Sequence, residues 1–167
     1  MSVADHKSTS PATVSCFVVT VSDSRTLETE TSGKAIADLL SAAGHTVVDR
    51  LVVKDEPDEV RHIVRTEIER DRVKVIITTG GTGITRRDST YEALVELFDK
   101  RLDGFGELFR MLSFEEIGSA AMMSRATAGI VGRCALFLLP GSEAAVRLAM
   151  TRLIIPELGH VARELNR

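Results

Sequence analysis

Three apolar runs, "VSCFVVTVS" (Val14 to Ser22), "HTVVDRLVV" (His45 to Val53) and "VKVIITT" (Val73 to Thr79), are separated by two segments of helical periodicity. This alternation constrains the fold more than any other feature of the chain. The first run is β-branched and nearly continuous, the pattern of a strand buried on both faces. After it, "SGKAIADLLSAAGH" puts Ile36, Leu39 and Leu40 on one helical face, and Gly44 supplies the stop. After the second run, "EPDEVRHIVRTEIERD" opens with Pro57 in its first turn and carries a stripe of Val60, Ile63, Val64 and Ile68. Strand, helix, strand, helix, strand with short connections predicts parallel strands covered by helices.

The remainder extends the pattern. "YEALVELFD" is amphipathic, and "GFGELFRMLSFEEIGSAAMMSRA" predicts a helix from about Gly106 with a second short one near Gly118. "AGIVG" and "CALFLLP" (Cys134 to Pro140) read as strands, and the last segment is a helix that Pro156 should break or kink. The chain has 167 residues, 44% of them hydrophobic and none of them Trp, so one domain with an aliphatic core is expected. The expected organisation is a disordered tail over residues 1–12 and a single α/β domain, with a mostly parallel sheet, over residues 13–167.

Several classes are disfavoured. The net charge is −3 with both signs well mixed, which argues against a general nucleic-acid binder. The N-terminus has no hydrophobic h-region, and no apolar run reaches membrane-spanning length, so a soluble, cytoplasmic protein without membrane partners is expected. Cys16 and Cys134 sit in apolar runs and read as buried reduced thiols; the four histidines show no zinc spacing.

Ligands of open α/β sheets bind beyond the carboxyl ends of the strands. Three strands end there in turns of small residues: "TVSDSRT" with Ser22, Asp23 and Ser24; "TTGGTG" with Gly80, Gly81, Thr82 and Gly83; and "PGSEAA" with Pro140, Gly141 and Ser142. Backbone N–H groups at such turns attract anions, glycine lets a phosphate approach the backbone, and hydroxyls add donors. Together they predict a phosphate-rich ligand across several strand ends. Each turn alone is also what a helix cap looks like, Ser142 above all. The glycine loop is not a Walker A motif, because no Lys follows in place. Nor is it a dinucleotide fingerprint: Gly81 and Gly83 fit the first half, but Arg86 occupies the last glycine position. Asp55 follows the second strand and Asp88 lies five residues beyond Gly83. Two carboxylates beside a phosphate site point to Mg²⁺; a helix cap at Pro57 for Asp55, and a cap or a salt bridge to Arg86 or Arg87 for Asp88, are the bland alternatives.

"TTGGTGITRRDST" resembles the signature of the molybdopterin-binding MoaB/Mog family of molybdenum cofactor biosynthesis, related to the G domains of plant and animal homologues such as gephyrin. "TVSDSRT", "TSG", "KDEPDE", "GFGELFRMLSFEEIGSAAMMSRA" and "LLPGS" fall in family order, and the penultimate block looks more like the MoaB branch. The resemblance implies a three-layer α/β/α fold, homotrimers or hexamers, and contact with other molybdenum cofactor enzymes. It implies transfer of AMP from ATP to the terminal phosphate of molybdopterin, with Mg²⁺ and release of pyrophosphate. The alternative it allows is a catalytically silent MoaB-type molybdopterin-binding or carrier protein. By the same resemblance Asp55 and Asp88 are the catalytic, Mg²⁺-positioning acids, and Gly80 to Gly83 hold phosphates. Ser22, Asp23 and Ser24 line the pterin side, and Glu107, Ser124 and Pro140-Gly141-Ser142 help close the pocket. One departure is Glu30, where many members carry Asp before Thr-Ser-Gly.

Overall fold

The computed structural model describes residues 10–167. Residues 1–9 of the expected tail lie outside the described residues; Ser10 and Pro11 run against Gly159 of the last helix. The elements are β1 (Ser15–Val21), α1 (Ser32–Ala42), β2 (Thr46–Val53), α2 (Pro57–Glu69), β3 (Val75–Thr79), α3 (Thr90–Val95), β4 (Lys100–Arg101) and α4 (Asp103–Ile117). A 3₁₀ turn (Gly118–Met123), β5 (Thr127–Val131), β6 (Cys134–Leu139), α5 (Glu143–Ala149), a π turn (Met150–Ile154) and α6 (Ile155–Leu165) follow.

The six strands form one sheet in the order β2-β1-β3-β6-β5-β4. β2, β1, β3 and β6 are parallel, while β5 and β4 are added antiparallel at one edge. Strand alternation divides the core between two faces. Cys16, Val18, Val75, Ile77, Phe137 and Leu139 pack on one face against Ile36, Leu40, Phe109, Val146 and Leu158. Phe17, Val19, Val21, Ile76, Leu136 and Leu138 pack on the other against Val60, Val64 and Leu94. The result is three layers, with α2 and α3 opposite α1, α4, α5 and α6. Because both faces are covered, β1 from Cys16 to Val21 and all of β3 and β6 are buried, which is why these strands read as unbroken apolar runs.

Two local expectations are refined. α4 begins at Asp103, one turn before Gly106, and Gly106 packs against the chain entering β5: a Cβ there would stand 2.8 Å from the Ala126 carbonyl oxygen. Pro156 does not break the last helix. The backbone widens into the π turn just before it, and helix resumes with Pro156 in the first turn of α6. The two thiols are free and buried, and burial pushes each up to about 12. Among the described residues no helix is long and apolar enough to cross a membrane.

Strand order places β2 on one side of β1 and β3 on the other. The carboxyl ends of β1 and β3 therefore flank the point where the chain reverses its direction of travel across the sheet, the place where such sheets bind ligands. The glycine loop leaves β3 at that point.

Candidate functional site

The glycine loop is stitched to its neighbours on every side. Gly80 donates its N–H to the Leu139 carbonyl (3.1 Å), and Thr79 Oγ1 donates to the Pro140 carbonyl (2.8 Å), tying the ends of β3 and β6 together. A Cβ on Gly80 would stand 2.2 Å from the Val21 carbonyl oxygen at the end of β1. Gly81 has φ +67°, and a Cβ there would meet Thr90 Oγ1 at 2.3 Å and Asp55 Oδ2 at 2.8 Å. At Gly83 it would meet Asp88 Oδ2 at 2.6 Å. The space these glycines leave is thus filled by protein atoms, so they serve close packing of the loop as much as ligand approach. The loop's donors remain available. Among the described residues the N–H groups of Gly81, Thr82 and Gly83 find no acceptor.

Asp55 is 5% exposed and reaches the loop from behind. Its Oδ1 accepts from Ser89 Oγ (2.9 Å), Ser89 N (3.3 Å) and Thr90 Oγ1 (3.0 Å). It therefore caps the start of α3, across space, whereas the N-cap position of its own α2 is Glu56. Its Oδ2 accepts from no described residue and faces Gly81. No described cation pairs with it. Asp88 is half-buried and closes a small turn: Thr85 donates to Oδ2 through its N–H (3.1 Å) and its hydroxyl. It forms no ion pair with Arg86 or Arg87.

Arg87 pairs elsewhere. It grips Asp23 with two nitrogens (2.7 and 3.0 Å) and Glu56 with one (2.8 Å), joining the ends of β1, β2 and the glycine loop. The Arg87 guanidinium, then the Asp55 N–H bonded at 3.1 Å, hold the exposed Asp23 carboxyl below its usual range. Arg125 is the second residue that sequence reasoning did not single out. Its Nε donates to the Thr82 carbonyl (2.9 Å) and its Nη2 to that of Gly83, it pairs with Glu92, and it lies 4.6 Å over the Tyr91 ring. With the Thr82 and Gly83 carbonyls engaged by Arg125 and that of Gly81 by Thr90 N, the loop offers N–H groups more than oxygens for further bonding.

A pocket of about 390 Å³ opens over the loop. Gly80 to Gly83, Asp88, Ser124, Pro140, Gly141 and Ser142 line it, with Phe109, Ile117 and Met123 as an apolar wall. The remaining expected residues stand elsewhere. Ser22 and Asp23 line a groove of about 440 Å³ along β2, and Ser22 Oγ accepts from the N–H groups of Ser24 and Arg25 within its own turn. Glu107 lines an adjoining pocket of about 340 Å³ that shares Ser124 and Arg125 with the first. Ser142 Oγ accepts from Ala145 N (3.3 Å) and caps α5. Glu30 is 3% exposed and structural: it accepts from Gly33 N (2.7 Å) and Thr20 Oγ1 (3.1 Å) and pairs with Arg50.

Residues 17–160 match the family described as "Probable molybdopterin binding domain". The chain belongs to the MoaB/Mog family of molybdenum cofactor biosynthesis proteins. It is 52% identical to the molybdenum cofactor biosynthesis protein B of Bacillus anthracis, over 100% of this chain and 99% of the relative. A crystal structure of molybdenum cofactor biosynthesis protein B superimposes with TM-score 0.91 at 51% identity, over 94% of this chain and 98% of that one. The tungsten cofactor synthesizing protein MoaB from Pyrococcus furiosus follows the same path, with TM-score 0.83 at 40% identity over 94% and 99%. The MoaB/Mog fold expected from the glycine loop and its companion blocks is therefore the fold observed.

Among the described residues no three His, Cys, Asp or Glu side chains are grouped to hold a metal ion. Mg²⁺ needs no such cage, because it keeps waters and takes one or two carboxylates together with substrate phosphates. Asp55 Oδ2, which no donor among the described residues engages, and the Asp88 carboxylate are the hard oxygens that could serve such an ion.

Proposed function

We propose that this chain acts in molybdenum cofactor biosynthesis, binding molybdopterin and transferring AMP from ATP to its terminal phosphate with release of pyrophosphate. The observation that carries the reading is that three N–H groups, at Gly81, Thr82 and Gly83, without an acceptor among the described residues, lie beside a buried Asp55 without a cationic partner among them. The family description, "Probable molybdopterin binding domain", supports the pterin as one substrate, and ATP as the other is part of the proposal. An oxygen of the terminal phosphate attacks the α-phosphorus, and the bond from that phosphorus to the bridging oxygen of pyrophosphate breaks. The nucleophile is already ionised, so no general base is required. The difficulty is bringing two polyanions together, and preorganised donors are the effective remedy.

In this reading the loop N–H groups bind phosphate oxygens, and the apolar wall of Phe109, Ile117 and Met123 takes a flat ring. Arg125 keeps the loop in shape by occupying its carbonyls. Asp55 and Asp88 would hold Mg²⁺, which would neutralise phosphate charge in the transition state. Ser89 and Thr90 fix the Asp55 carboxylate, so its free oxygen cannot turn away from the loop.

We further propose that the working unit is a homo-oligomer. Leu108, Met111, Phe114 and Ile117 on α4, with Met122 and Met123 beyond it, are 47 to 81% exposed. Large apolar side chains exposed together in one stretch of chain are the pattern of an interaction surface. Ile117 and Met123 also line the glycine-loop pocket, so a second copy on this face would border the site.

Incubating the protein with molybdopterin, Mg²⁺ and α-labelled ATP tests the reaction. Label on the pterin that disappears with EDTA and in Asp88→Ala is the expected result. Tight pterin binding without label would assign the chain to the silent, carrier-type alternative.

A further inference from the structure

The adjoining pocket of about 340 Å³, between α4, β5 and Tyr91, differs in kind from the one over the glycine loop. Its lining is mostly polar, and its one aromatic ring, Tyr91, is covered by the Arg125 guanidinium. Arg101, Arg110 and Arg125 face it, with Asp103 and Glu107 exposed at its rim. Two of the three cations are neutralised by acids: Arg101 pairs with Asp103 (3.3 Å) and donates to Tyr91 Oη (3.3 Å), and Arg125 pairs with Glu92. Arg110 is not. It is half-buried, and its only partners among the described residues are the carbonyls of Ala126 (3.1 Å) and Ser124 (3.5 Å), both through Nη1.

The Nε and Nη2 edge of Arg110 is therefore unused. That edge of a guanidinium presents two parallel N–H donors and matches a phosphate oxyanion bidentately. Gly106 makes the arrangement possible: a Cβ there would stand 2.8 Å from Arg110 Nη2 and 3.0 Å from Nη1, so the guanidinium occupies the space of the absent side chain. We infer that this pocket is a second oxyanion site, anchored by Arg110, for a ring-free phosphate group of the substrates. Ser124 and Arg125 line both pockets, so a phosphate here and one on the glycine loop can belong to the same reacting pair. The inference rests on the phosphoryl-transfer reading for the identity of its ligand. Two sources share the chemistry: the pyrophosphate end of the nucleotide and the terminal phosphate of the pterin.

Calorimetric titration of the full-length protein with pyrophosphate, AMP and molybdopterin tests it, using Arg110→Gln and Arg110→Lys beside the wild type. Gln is uncharged and too short for the Ala126 carbonyl that Arg110 Nη1 reaches, and Lys restores the charge without the fork. Arg110→Gln should weaken pyrophosphate by at least about tenfold, Lys should recover part of that, and AMP should change less than about twofold. A tenfold loss confined to molybdopterin would keep the site and assign it the pterin phosphate. Unchanged binding of both in Arg110→Gln would make Arg110 a strap between α4 and β5 and overturn the inference. Arg110-dependent pyrophosphate binding without AMP transfer would retire the reaction and keep the site. AMP transfer at the wild-type rate in Arg110→Gln, with binding also unchanged, would keep the reaction and remove the site.

Discussion

Glu30 and Asp55 lie beyond the carboxyl ends of the neighbouring strands β1 and β2, both nearly sealed from solvent at 3% and 5% exposure, yet they are satisfied in opposite ways. Glu30 has its counter-ion built in: Arg50 pairs with one oxygen, while Thr20 and Gly33 donate to the other. Among the described residues Asp55 has three neutral donors on one oxygen and none on the other. A buried carboxylate without a cation is unfavourable on its own, and one fixed in place with a free oxygen is prepared for a cation from outside. The first acid completes the fold. In the proposed reading the second leaves an oxygen for the ligand's metal ion to match.

The largest expected effect falls on the closed set. Glu30→Ala leaves Arg50 without its counter-ion and the Gly33 N–H without its acceptor, and should cost roughly 3–5 kcal/mol of stability, read from urea unfolding. A loss under about 1 kcal/mol would put Glu30 among the dispensable surface pairs. Asp55→Asn should do the reverse. The amide oxygen keeps all three hydrogen bonds, so stability should hold, while AMP transfer falls about 10²–10³-fold, equivalent to about 2.7–4 kcal/mol of barrier. A variant that unfolds instead would make Asp55 a second structural acid.

Ser142 sharpens the contrast at a residue that lines the pocket and also caps a helix. Ser142→Ala should cost about 1 kcal/mol of stability, with AMP transfer changed less than about threefold if capping is its main task. A much larger loss of transfer would move it to the ligand side. The smallest effect concerns Asp23. Its folded value lies below the ordinary 3.8, so its pairing with Arg87 stabilises the protein above that pH and is lost as pH falls through the lowered value. Arg87→Ala should flatten that part of the acid limb of a melting-temperature profile; an unchanged profile would show that Asp23 is indifferent to Arg87.

Much of this was legible in the chain. β1, β3 and β6 announced themselves because strands covered on both faces carry continuous apolar runs. The glycine loop and the three strand-end turns were legible for a similar reason, since small residues cluster where backbones approach closely. β4 was not, because a two-residue strand at an edge has no periodicity to read. The partners of Arg87 and Arg125 escaped notice because they lie 31 to 64 and 33 to 43 positions away. The same distance hid the role of Glu30, whose counter-ion Arg50 sits 20 residues on, and of Thr90, which joins Asp55 to Gly81. Pairings of that kind are made by the fold and leave no local pattern.

The most direct test sets the two acids against each other in one single-turnover experiment. Wild type, Glu30→Gln and Asp55→Asn are each mixed with molybdopterin, Mg²⁺ and α-labelled ATP, and labelled pterin is counted per mole of folded protein. The account predicts label at comparable rates for wild type and Glu30→Gln and almost none for folded Asp55→Asn. Wild-type labelling by Asp55→Asn would contradict it, because the free oxygen of Asp55 would then have no part in the reaction.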